Sequence, residues 1–167
     1  MKHNPEHAFL SLLESYKGII YKISYAYAVT PEDRKDLFQE IVVSLWKAYP
    51  SFKENSKLST WIYRVALYTA ITNYRREKKQ IQYEPFRPGF HEKSTADFFC
   101  DQQEEIKNLY RAIEKLSHID KAIILLLLEE NSYTEISHII GIKPATVGMR
   151  IKRAKDKLSD LLLNIKA

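Results

Sequence analysis

Cysteine occurs once, at position 100 of 167 residues, which excludes an internal disulfide framework and a cysteine-cluster zinc site. Four glycines and six prolines are too few for a turn-rich all-β fold; Tyr, Leu, Ile and Lys are abundant instead, which favours helix. Long apolar runs are missing as well. The longest, Ala122 to Leu128, falls far short of the roughly 20 residues that cross a bilayer. The opening MKHNPEHAF has no apolar signal core, so export is not expected. The histidines are scattered at positions 3, 7, 91, 118 and 138. Only His3 and His7 have ligand-like spacing, in an N-terminus expected to fray, so no metal site is expected. What remains, with 45% hydrophobic and 28% charged residues, reads as a cytoplasmic, helical, moderately basic protein.

The net charge of +5 is unevenly spread. Residues 1–80 carry 13 basic and 8 acidic side chains, residues 101–142 carry 4 and 8, and residues 143–167 carry 7 and 2. Basic charge gathers at Arg75-Arg76-Glu77-Lys78-Lys79 and again from Arg150 to Lys157. Two basic patches divided by an acidic stretch fit two contacts with a polyanion. They equally fit two solvated helix ends, where cations complement the helix dipole.

Apolar spacing predicts helices in both halves. Phe9, Leu12, Leu13, Tyr16, Ile19, Ile20, Ile23 and Tyr27 repeat at three and four. Thr30-Pro31-Glu32-Asp33 reads as a helix start, with Thr30 as N-cap, and Leu37, Phe38, Ile41, Val42, Leu45 and Tyr49 as the buried side. A third helix is expected from about Ser59 to Lys79, with Ile62, Val65, Ala66 and Thr69 on its core face. Arg64, Tyr68, Arg75 and Lys79, with Trp61 and Ile71, fall on a basic and aromatic face. Residues 81–100 lose the periodicity around Pro85, Pro88 and Gly89 and read as a linker, which contains Cys100. Residues 101–167 form a second helical domain, with a strongly apolar helix from Asp120 to Glu130.

The most specific local pattern is Tyr133 to Val147. A short helix carries Ile136 and Ile140 toward the core, Ser137 lets the helices approach closely, and Gly141 supplies a left-handed turn. Pro144 opens a second helix with Val147, Ile151, Ala154, Leu158 and Leu162 as its buried stripe. The outer side presents Ala145, Met149, Lys152 and Arg153, with Arg150 close by. This is the pattern of a helix-turn-helix whose second helix enters the major groove and offers long donors to phosphates and base edges. Gly148 lowers helix propensity by up to about 1 kcal/mol relative to alanine, and would permit close backbone approach to DNA.

Several ordered motifs extend over nearly the whole chain: Asp36-Leu37-Phe38-Gln39-Glu40-Ile41 through Trp46, Phe52-Lys53-Glu54, Ser59-Thr60-Trp61-Ile62-Tyr63-Arg64, Asn73-Tyr74-Arg75-Arg76, and Ser132-Tyr133 through Leu158. With these the sequence resembles the extracytoplasmic-function (ECF) sigma factors of bacterial RNA polymerase. The resemblance implies an all-α protein of two small domains joined by a linker: region 2 over 1–80, a linker over 81–100, and region 4 over 101–167. It implies that Asp36, Gln39, Glu40 and Trp46 bind the coiled coil of the β′ subunit. It assigns the −10 element to Asn55, Ser56, Lys57, Ser59, Thr60, Trp61, Arg64, Tyr68, Asn73, Arg75, Arg76 and Lys79. It assigns the −35 element to Lys143, Pro144, Ala145, Thr146, Met149, Arg150, Lys152 and Arg153. The implied partners are core RNA polymerase through β′ and β, promoter DNA, and an anti-sigma factor; the chain itself is not a membrane protein. The −10 role suits the residue types, since aromatic rings and cations trap extruded bases.

Asp36 and Glu40 lie one helical turn apart, but no histidine, nucleophile or glycine-rich phosphate loop accompanies them. No catalytic residue, enzyme activity or cofactor is therefore expected. The pattern allows two other classes of function: a stand-alone helix-turn-helix regulator, which would bind duplex DNA tightly without polymerase, and an interaction adaptor with no DNA role.

Overall fold

The computed structural model describes residues 4–81 and 103–166, which belong to two compact units. Among the described residues all regular structure is helical, in seven α-helices and one short 3-10 turn. The first unit holds α1 (Pro5–Tyr27), α2 (Pro31–Ala48), the 3-10 turn Tyr49–Ser51, and α3 (Leu58–Ile81). The second holds α4 (Glu104–Ile113), α5 (His118–Leu128), α6 (Tyr133–Ile140) and α7 (Pro144–Lys166). The linker expected over 81–100, beyond the helical Ile81, lies outside the described residues, as do Cys100, His3 and His91.

Helix starts follow local chemistry. The Thr30 side chain accepts from the Asp33 amide at 3.1 Å and Pro31 occupies the first turn of α2, where its missing N–H costs nothing. At α6, Ser132 Oγ accepts from the Glu135 amide while the Glu135 carboxylate accepts from the Ser132 amide at 2.7 Å, a complete capping box. Gly141 ends α6 at φ +80°, the left-handed conformation that a Cβ would penalise by roughly 1–2 kcal/mol. In the same turn the Ser137 hydroxyl donates to the Ile142 carbonyl at 2.5 Å, tying α6 to the residue that leads into α7.

In the first unit each of the three helices packs against the other two. Ile20 and Ile23 of α1, Ile41 and Leu45 of α2, and Ile62 of α3 are fully buried, and each such side chain stabilises the fold by roughly 1.5–3 kcal/mol. The core face of α3 is turned slightly from its expected position. Tyr63, Leu67 and Ala70 are buried beside Ile62 and Ala66, whereas Val65 and Thr69 are only half-buried. The second unit closes α7 over α4, α5 and α6. Val147, Ile151, Ala154 and Leu158 are buried as expected, and Leu162 is half-buried. On α6 the buried pair is Ile136 and Ile139; Ile140 is half-buried. The apolar α5 starts at His118 rather than Asp120, because Ser117 caps it, and residues 121–126 are all buried. Burial lowers the pKa of Lys121, with Glu114 opposing the shift, and pushes the Tyr110 hydroxyl up to about 12, with Glu129 adding to it.

Candidate nucleic-acid and polymerase interface

The outer side of α3 is built by the opposition of its buried stripe. Because Ile62, Ala66 and Ala70 point inward, residues 61, 64, 68 and 75 fall on the far side of the same helix. Tyr68 is 74% exposed, and Arg64 and Arg75 are exposed around it. Trp61 is half-buried and braced against Phe52, their ring centroids 5.0 Å apart at 41°. Its surface edge is thus held in one orientation by the loop that precedes the helix. That loop contains exposed Asn55 and Lys57 and half-buried Ser56, and it reverses at Glu54, which adopts φ +53°. The Lys57 carbonyl accepts from the Trp61 amide at 3.1 Å, and Ser59 and Thr60 are half-buried in the first turn. The side chain of Lys79 lies outside the described residues.

Between α2 and α3 runs an open groove of about 680 Å³. Arg64, Tyr68, Asn73 and Arg76 line it from α3; Glu40, Ser44 and Lys47 line it from α2. Arg76 Nη2 donates to Asn73 Oδ1 at 2.8 Å and reaches across to Glu40 Oε1 at 3.3 Å. The sequence reading assigned Glu40 to polymerase and Arg76 to DNA, and the fold brings the two into contact. Lys47, seven residues after Glu40 and therefore on the same face of α2, was not singled out from the sequence; its i, i+7 spacing was the available signal.

The other residues that the resemblance assigns to polymerase stand on the outer side of α2. Asp36 and Gln39 are exposed. Trp46 is 40% exposed and packs edge-on against Phe9 of α1, with ring centroids 5.0 Å apart at 64°. Phe9 also meets Tyr49. Val43, exposed between Gln39 and Trp46, continues this surface as an apolar member.

On α7 the outer face consists of exposed Ala145, Met149, Lys152 and Arg153, preceded by exposed Lys143 and Pro144 and flanked by half-buried Thr146. Arg150 is placed differently. It lies about 60–70° from the buried stripe on a helical wheel at 100° per residue, and its Nη1 donates to Asp120 Oδ1 on α5 at 2.8 Å. Ser117 Oγ also donates to Asp120, so the guanidinium closes a Ser117–Asp120–Arg150 chain that ties α7 to the start of α5. Arg150 thus braces α7 against α5 through Nη1, with its side chain still 35% exposed. Gly148 faces the ring of Tyr133, where an added Cβ would stand 3.5 Å from the nearest ring carbon, an ordinary contact. Gly148→Ala should thus stabilise the chain by up to about 1 kcal/mol through helix propensity. A lower midpoint of urea unfolding than wild type would contradict this.

Among the described residues no group of three or more His, Cys, Asp or Glu is placed to hold a metal ion. Among those residues no helix is long and apolar enough to cross a membrane.

Comparison with known proteins agrees with this division. Residues 12–80 match the family model for Sigma-70 region 2, and residues 106–158 match that for Sigma-70 region 4. The chain is 27% identical to the ECF RNA polymerase sigma factor SigW of Bacillus subtilis, over 99% of this chain and 94% of that protein. It is 30% identical to the ECF RNA polymerase sigma-E factor of Escherichia coli, over 92% of this chain and 85% of that protein. Among solved structures, the sigma factor RpoE from Bartonella quintana, crystallised with the anti-sigma factor NepR, shares the fold with a TM-score of 0.71 at 20% identity. That match covers 93% of this chain and 96% of RpoE. With both regions matched in order along one chain, and with curated relatives aligned over nearly its full length, this protein belongs to the ECF sigma factors of RNA polymerase.

Proposed function

We propose that this sigma factor acts in the cytoplasm, without catalysis of its own, through three surfaces, two of which meet at Glu40 and Arg76. Asp36, Gln39, Glu40 and Trp46 on α2 engage core polymerase. The loop from Asn55 and the outer side of α3 capture the melted −10 strand, with Tyr68 and Trp61 as stacking surfaces and Arg64, Arg75 and Arg76 as phosphate partners. The outer face of α7 reads the −35 duplex through Lys152, Arg153 and Met149, while Arg150 holds the helix in place. The observation that carries this reading is the exposure of Tyr68: a tyrosine 74% exposed among arginines has no folding role and is available to stack on a base. The solved relatives RpoE and CnrH were each captured with an anti-sigma partner, NepR or the cytosolic domain of CnrY. By the same logic an anti-sigma factor is expected to regulate this chain.

The test is run-off transcription from genomic fragments by purified core RNA polymerase, with and without the chain. Defined transcripts that start only in its presence are expected, and their upstream sequences identify both elements. If no such transcripts appear and the chain fails to co-elute with core enzyme, the reading falls and the alternative of a stand-alone duplex-binding regulator takes its place.

A further inference from the structure

The pair Glu40–Arg76 joins two surfaces with different partners. Glu40 is a polymerase-facing carboxylate on α2, and Arg76 is a DNA-facing cation 36 residues later on α3. In the free chain Arg76 has two acceptors of its own, Glu40 Oε1 and Asn73 Oδ1, which together hold its guanidinium against the protein. Neither side chain of the ion pair is locked by burial. That of Arg76 is 64% exposed and that of Glu40 is 44% exposed, and both border the open groove between the helices. An exposed pair of this kind is weak, and a partner offering a better-desolvated cation to Glu40 displaces Arg76 at little cost.

We propose that Glu40 and Arg76 form an autoinhibitory clasp: the free chain holds Arg76 away from DNA, and core polymerase, by taking Glu40, releases Arg76 to a phosphate of the captured strand. The ion pair is the contact that both binding events compete for, whereas the Asn73 bond lies within α3, so the two events are linked by the same factor in both directions. An exposed pair limits that factor to about fivefold. The clasp rests on the assignment of Glu40 to polymerase and of Arg76 to DNA, and the two can be tested apart.

The experiment is a double-mutant cycle on the full chain with Glu40→Gln, Arg76→Gln and the double variant. Binding of a fluorescent dT20 single strand is followed by anisotropy over a range of salt concentrations. Both side chains are exposed, so all variants should keep the wild-type melting profile. Glu40→Gln is expected to tighten dT20 binding up to about fivefold more when Arg76 is present than when it is glutamine. The steeper salt dependence should correspond to about one additional phosphate contact. The general effect of removing one negative charge is common to both backgrounds and cancels in the cycle. If Arg76→Gln does not weaken dT20 binding even in the Glu40→Gln background, Arg76 is not a DNA contact, and that assignment fails together with the clasp. If it does weaken binding there, but Glu40→Gln acts equally in both backgrounds, the clasp alone is overturned. The same cycle read on core polymerase supplies the reciprocal check. Arg76→Gln should tighten core binding by a similar factor when Glu40 is present, and equal core affinity with and without Arg76 would overturn the exchange.

Discussion

Arg153→Ala is expected to weaken binding of a −35 duplex by roughly 5- to 150-fold, corresponding to the loss of one base-edge contact of about 1–3 kcal/mol. The thermal melting profile should stay close to wild type, because Arg153 is exposed. If the lost contact is instead to a phosphate, affinity falls about uniformly across sequences and the salt slope drops by about 0.9. Arg150→Met should behave in the opposite manner. It removes the 2.8 Å contact to Asp120 and leaves that carboxylate with Ser117 as its remaining donor, so the second unit loses stability while the salt slope of DNA binding is kept. The measurement pairs fluorescence anisotropy on the −35 duplex defined by run-off transcription with thermal melting of each variant. An Arg153→Ala chain that binds the duplex like wild type would remove α7's outer face from the −35 assignment. A drop in salt slope for Arg150→Met would return Arg150 to the DNA.

The difference between these two arginines shows where sequence reading stops. Three residues apart on one helix, they look alike in composition and both lie in the basic run from 150 to 157. What separates them is Asp120, 30 residues earlier on another helix, and no local pattern announces that encounter. Glu40 and Arg76 illustrate the same limit, since their contact depends on how α2 crosses α3. Local chemistry was far more legible. Thr30 and Gly141 each act within one turn of chain and start or end a helix as their residue types demand; the Ser132–Glu135 capping box is equally local, though it was not singled out from the sequence. The long stripe of α7 was legible too, because over about four turns the 3.6-residue period leaves little freedom in which face is buried. Over the eight residues of α6 it leaves more, and the buried partner of Ile136 proves to be Ile139 instead of Ile140. On α3 the amphipathic tyrosine at 63 and Leu67 widen the core face beyond the stripe through Ile62, Val65, Ala66 and Thr69, and this turns Val65 and Thr69 toward the groove.

On α3 the same exposure argument sets the second large effect. Tyr68→Ala should change folding stability by no more than about 0.5 kcal/mol, as expected for a surface residue. Removal of a stacking platform, however, costs about 1–3 kcal/mol per base, or roughly 5- to 150-fold in capture of the melted strand. Tyr68→Phe keeps the ring and should retain most of the activity, which separates stacking from any role of the hydroxyl. Trp61→Ala is predicted to differ from both. That ring is half-buried against Phe52, so its loss should loosen the loop before α3 and lower the melting temperature as well as strand capture. Permanganate footprinting of the open promoter complex, run beside melting curves for each variant, reads the two effects independently. A Tyr68→Ala chain that opens promoters as well as wild type would mean that no base stacks on Tyr68, and the capture surface would then have to centre on Trp61 and the loop from Asn55 to Lys57.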